Sequence, residues 1–112
     1  MSVLDQSIIA EVRETLGDDI FRGFADRMLA EAVQTVGQLR DLLASGETEA
    51  LAQLAHRSAG SAVSVGASAL HARLKRIEDL ARTGSVAGLG EAIAALDGDI
   101  AEAQAALDSL LA

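Results

Sequence analysis

Apolar residues recur three and four positions apart along nearly the whole chain, and the pattern breaks only at small residues: Gly17, Ser45-Gly46, Gly66 and Gly84. That spacing puts one apolar stripe on each of a series of helices, because side chains three and four apart share a helix face. The chain has no proline and only two aromatic residues, Phe21 and Phe24. The strongest helix breaker is therefore absent and the strand-forming aromatics are nearly so. Leu4, Ile8, Val12 and Leu16 mark a short first helix, with Ser2 or Asp5 as its cap and Gly17 as its stop. Asp18 and Asp19 suit the positive end of a long second helix whose stripe runs from Ile20 to Leu43. Phe21 and Phe24 read as core anchors in its first turns. A third helix starts near Glu47 to Glu49 and ends about Gly66. A fourth runs from Ala67 to Thr83 with Leu70, Leu74, Ile77 and Ala81 inward, and a fifth opens after Ser85, its first turns weakened by Gly88 and Gly90. Short connections between long amphipathic helices make consecutive ones antiparallel neighbours. The expectation is an all-α chain, an up-down antiparallel four-helix bundle with a short additional N-terminal helix, forming one domain over residues 1–112 and monomeric.

The third helix carries the feature that this scaffold does not explain. On a wheel, Leu51, Leu54, Ala55, Ser58, Ala62 and Val65 fall in one sector. His56 points roughly 150° away from its centre, toward water. Its neighbours on that side are Ala52, Ala59, Gly60 and Val63, where an exposed helix face normally carries Lys, Glu and Gln. Gly60 costs about 1 kcal/mol relative to alanine inside a helix, which points to something approaching the backbone beside the imidazole. Ala52, Gly60 and Val63 are accordingly the expected docking surface.

The motif Ala55-His56, Gly60-Ser61, Gly66-Ala67, Leu70 and Ile77-Glu78 followed by Ala81 resembles the histidine-containing phosphotransfer (HPt) domain family. Leu4-Asp5, Leu16-Gly17-Asp18 and Phe24 extend the resemblance into the N-terminal half. Two positions depart from it: Ala59 stands where the family usually has lysine, and Ser58 where it has an apolar residue. The resemblance implies a carrier in a multistep two-component phosphorelay, with His56 as phosphoacceptor. It would exchange the group with the aspartate of response-regulator receiver domains, supplied by a hybrid histidine kinase. In similar domains the level of Glu78 often carries a glutamine that orients the imidazole; an acid there could hydrogen-bond the ring but would repel phosphate.

The residues allow that chemistry. A neutral imidazole nitrogen can attack a phosphoryl group held on an aspartate, giving a phosphoramidate. Such transfer asks mainly for alignment and charge stabilisation. No glycine-rich phosphate loop or paired carboxylates for magnesium are present, so no ATP-using kinase is expected. No cofactor is expected either, and any magnesium would come with the partner. An antiparallel return from Gly66 brings the level of Glu78 beside His56, and His71, Lys75, Glu78 and Arg82 line one flank there. Lys75 and Arg82, with Arg57 on its long stem, could replace the charge that Ala59 does not supply. His71 reads as a surface residue, and no helix offers a two-histidine metal spacing. The net charge of −8 argues against nucleic acid. No apolar run approaches the ~20 residues of a membrane span, and the N-terminal residues lack a signal-peptide pattern. Without cysteine, a cytoplasmic location is the simple expectation. The alternative function is a non-phosphorylated docking or adaptor module in which His56 is incidental.

Overall fold

The computed structural model describes residues 2–112, which form α1 (Gln6–Leu16), α2 (Asp18–Ala44), α3 (Thr48–Ser64), α4 (Ser68–Thr83) and α5 (Val86–Leu111), with no strand among the described residues. Asp5 rather than Ser2 caps α1: its carboxylate accepts from the backbone N–H of Ser7 at 3.0 Å and of Ile8 at 3.2 Å. Gly17, at φ 85°, turns the chain directly into α2. Asp18 and Asp19 occupy the first turn of α2, where the helix dipole favours them. Asp18 also pairs with Arg13 across that corner at 2.8 Å.

α3 packs on α2 and α4, α5 packs on α4 and α2, and α1 leans on α2. Cross-contacts fix the directions. His56 meets Glu78 and Ala59 meets His71, so α3 and α4 run oppositely. Arg73 meets Asp99 and Gly88 approaches Leu80, so α4 and α5 do as well. Arg22 reaches Asp108 and Arg40 reaches Asp97 between α2 and α5. The core contains Phe21, Leu39, Leu51, Leu74, Ile77, Leu96 and Leu107, all fully buried. Each such side chain contributes about 1.5–3 kcal/mol by leaving water. No helix among the described residues is long and apolar enough to cross a membrane.

The N-terminal segment is tied to the α3–α4 turn. The Asp5 N–H donates to the Gly66 carbonyl at 2.7 Å, and the Ala69 N–H donates to the Val3 carbonyl at 3.3 Å. Gly66 sits at φ 75°, and a Cβ there would lie 2.6 Å from Cγ1 of Ile9, so only glycine fits this close approach.

Three expectations are corrected. Ala52 and Ala59 are buried, not part of an exposed patch. α3 is covered by α2 on one side and α4 on the other, and Ala52, Ala55, Ala59 and Ala62 are the small residues that let two helices come close. Phe24 is 45 % exposed and no core anchor. Phe21, three residues earlier, takes the inward position, and Phe24 emerges at the edge of the stripe. Together with Leu16 and Ile20 it forms an exposed apolar patch at the α1–α2 corner.

Candidate functional site

His56 stands at the border between the exposed side of α3 and its contact with α4, with its side chain 65 % exposed. One turn earlier and later, Ala52 and Ala59 lie under α4, whereas Gln53 and Gly60 face water. This border position lets the ring reach α4. Its Nδ1 lies 3.1 Å from Oε1 of Glu78. A carboxylate only accepts, so Nδ1 carries the hydrogen and donates it, and in the neutral ring the lone pair is left on Nε2.

Glu78 is only 4 % exposed, the one buried charged residue among those described. A lone carboxylate in such a place would be costly, but three donors surround it. The Lys75 ammonium donates to Oε1 at 3.0 Å and Nε of Arg82 donates to Oε2 at 3.0 Å. His56 supplies the third. Lys75, Glu78 and Arg82, spaced three and four apart, share one face of α4. Burial pushes the Glu78 carboxyl up. Hydrogen bonds from Lys75, Arg82 and His56, with the charge of His56, outweigh that and hold it down at about 2, from an ordinary 4.5. Arg82 extends the network back to α3 through Glu49, 3.6 Å from Nη1.

Of the residues singled out in the sequence, His56, Lys75, Glu78 and Arg82 are brought together. Gly60 is exposed, with no neighbouring atom within 4 Å of where a Cβ would stand, so the imidazole has open space beside it. Val63 is half-buried. Arg57 turns away toward α2, where it lines a shallow groove with Met28, Glu31 and Thr35. Ala59, expected beside the imidazole at the surface, is 2 % exposed beneath α4, and its carbonyl accepts a hydrogen bond from Nδ1 of His71 at 2.9 Å. His71 is thus half-buried and fastens α4 to α3; it is not a free surface residue. Ala52, expected in the docking surface, is fully buried and cannot take part in it.

Two features escaped the sequence reading. Glu49 precedes His56 by two helical turns, so its place on the same side was available from spacing alone. Leu16 and Phe24, with the exposed Ile20 four residues from each, mark a groove that Leu16 and Phe24 line together with Val12, Met28 and, on α3, Ser61 and Ser64. That groove lies one to two turns beyond His56 on its helix.

Chemically, the cluster offers one outward-facing nucleophile, Nε2 of His56, held in orientation by an anchored carboxylate. Glu78 is already engaged by three partners, and no group of three or more His, Asp or Glu suited to a metal ion occurs among the described residues. The Hpt domain family model matches residues 24–106. A comparison with curated proteins found no match. Among solved structures, the crystal structure of histidine-containing phosphotransfer protein B (HptB) from Pseudomonas aeruginosa PAO1 is similar, with a TM-score of 0.87 over 97 % of this chain and 94 % of that one at 22 % sequence identity, a likeness of fold. The family match spans most of the sequence, including His56 and Glu78, and the chain belongs to the Hpt domain family, the histidine phosphotransfer domains of phosphorelays.

Proposed function

We propose that His56 is the phosphoacceptor, exchanging a phosphoryl group between its Nε2 and the aspartate of receiver domains. The observation that carries this reading is an exposed imidazole pinned through Nδ1 by a buried, ionised Glu78, with Nε2 left free beside the bare Gly60. Pinning one nitrogen fixes both tautomer and ring direction, which is the alignment such a transfer requires. Lys75 and Arg82 place two cations on the flank where position 59 supplies none. The chain acts as a carrier without kinase activity of its own; a hybrid histidine kinase feeds the relay, and magnesium comes with the receiver. The fold behind this is an up-down antiparallel four-helix bundle, α2 to α5, with α1 as a short addition. We take residues 1–112 as one such domain, monomeric and cytoplasmic.

The receiver docks over Gly60 and Val63 and onto the apolar corner of Leu16, Ile20 and Phe24, which takes the place of the buried Ala52. Continuity of this corner with the α3 groove beyond His56 supports that occupant. The test is incubation with a phosphorylated receiver domain. Acid-labile, base-stable phosphate appearing on this chain as the receiver loses its own supports the reading. A stable complex without transfer would establish the adaptor function that the exposed Phe24 corner could also serve.

A further inference from the structure

Resting on the docking of a receiver beside His56, we infer that Arg27 and Arg57 are specificity-determining residues, which select receivers that bring a carboxylate to the furrow between α2 and α3.

Acidic residues outnumber basic ones by seventeen to nine, so a cation on this surface has many carboxylates to pair with. Most lysines and arginines hold one, as Arg13 holds Asp18, Arg40 holds Asp97 and Arg73 holds Asp99. Among the described residues, only Arg27, Arg57 and Arg76 have no carboxylate within ion-pair distance. Two of these three lie together. Arg27, on α2 three residues after Phe24, lines the groove that Phe24 shares with Ser61. Arg57, on α3 three residues before Gly60, lines the next stretch. Met28, Glu31 and Ser61 border both stretches, which therefore form one furrow. Glu31 is its only acidic lining residue, four positions after Arg27, yet it bridges to neither arginine. The furrow is left with a net positive charge on a chain whose own net charge is −8.

A receiver that covers both Gly60 and Phe24 must lie across these arginines, since each stands within one helical turn of one of those residues. Taking an unpaired cation out of water is costly unless the partner supplies the opposite charge. A receiver with a carboxylate there gains charge-assisted hydrogen bonds from a planar guanidinium, and its register over His56 is fixed. One that presents an apolar or basic surface leaves both cations desolvated and alone. Rejection of the wrong receiver thus contributes as much as attraction of the right one. Arg27 belongs to α2 and Arg57 is directed toward α2, so neither assists the imidazole. Their effect falls on association, and the chemical step stays with His56 and its α4 flank.

The experiment takes one receiver domain that charges native protein, phosphorylated on its aspartate with a small phosphodonor. A second form of it has the carboxylates on the helices beside that aspartate replaced by amides. Single-turnover transfer is measured from well below to well above saturating receiver. With the natural receiver, the double variant Arg27→Gln, Arg57→Gln should lose about tenfold in the second-order rate while its saturating rate stays within about twofold of native. The double variant Arg27→Lys, Arg57→Lys should recover part of the loss, because the charge returns without the fork. Glu31→Gln should raise the second-order rate, having removed the carboxylate that competes with the partner. Arg76→Gln, exposed on α4 and outside the furrow, should change little. With the amide receiver the difference between native protein and the Gln double variant should shrink to nothing.

A double variant as fast as native would overturn the inference, as would a loss that persists in full with the amide receiver. An equal loss in Arg76→Gln would also overturn it, showing an effect of overall charge with no selection at the furrow. A fall confined to the saturating rate would place the arginines in the chemical step and refute their role in association. Failure of every receiver to charge native protein would instead overturn the reading of His56 itself.

Discussion

Glu78 links the site to the stability of the fold, and the link has a definite pH dependence. Its carboxyl lies at about 2 in the folded chain against 4.5 for an ordinary glutamate. A group lowered on folding stabilises the native state above its unfolded value and loses that contribution as pH falls toward its folded value. At 1.36 kcal/mol per unit, the difference sets a ceiling of about 3 kcal/mol. The protein is only 22 × 19 Å across its short axes, and the Lys75 and Arg82 side chains are half in water, so screening reduces this to about 1–2 kcal/mol. Glu78→Gln keeps the shape but cannot ionise. Urea unfolding of both proteins, followed by far-UV circular dichroism, should find native more stable by about 1–2 kcal/mol at neutral pH. That gap should close between about pH 4.5 and pH 2. Asp18 and Asp108, also lowered by their arginine partners, titrate in both proteins and drop out of the comparison. A gap that persists unchanged into acid would show that the carboxylate's charge, and with it the three-donor anchor, contributes nothing.

Three other perturbations separate the site from the scaffold. Gly60→Leu should keep or raise stability, by up to about 1 kcal/mol, since leucine is the better helix former and nothing crowds its Cβ. It should nevertheless block transfer from a receiver; transfer at the native rate would remove the close-approach argument. Phe24→Ser should cost no more than about 1 kcal/mol of stability, being half in water already, yet weaken receiver binding at least about fivefold by titration calorimetry. Unchanged affinity would move the docking surface elsewhere. Gly66→Ala should lower stability by more than about 2 kcal/mol in thermal unfolding, combining left-handed backbone strain with collision against Ile9. A loss under about 0.5 kcal/mol would mean that the α1 contact yields freely.

Local signals carried most of the fold. Helix starts and stops follow from Asp5, Gly17, Gly46, Gly66 and Gly84, each acting on its own neighbours in sequence. Exposure of His56 was equally legible, because the opposite face of α3 is apolar at regular spacing. Ala52 and Ala59 were misplaced because a single apolar sector describes a helix with one partner, and α3 has two. Alanine is small enough to belong to either a bare surface or a close helix contact, so its identity does not decide. Phe24 misled for the converse reason: a large aromatic next to a stripe is assigned to the core unless its neighbour three residues earlier already fills that place. Glu78 was legible as a polar flank residue near the imidazole. Its burial was not, since a buried carboxylate is tolerable only when donors from two helices converge, and that convergence is a property of packing.

The account turns on one atom accepting one group, and residue-level mapping of the label tests it most directly. Native protein, His56→Gln and His71→Gln are each charged by a phosphorylated receiver and the base-stable phosphate is located in the resulting peptides. The account predicts label on residue 56 of the native protein and of His71→Gln, none on His56→Gln, and unfolding free energies for His56→Gln within about 0.5 kcal/mol of native. Label that survives in His56→Gln, or that vanishes in a folded His71→Gln, would contradict it.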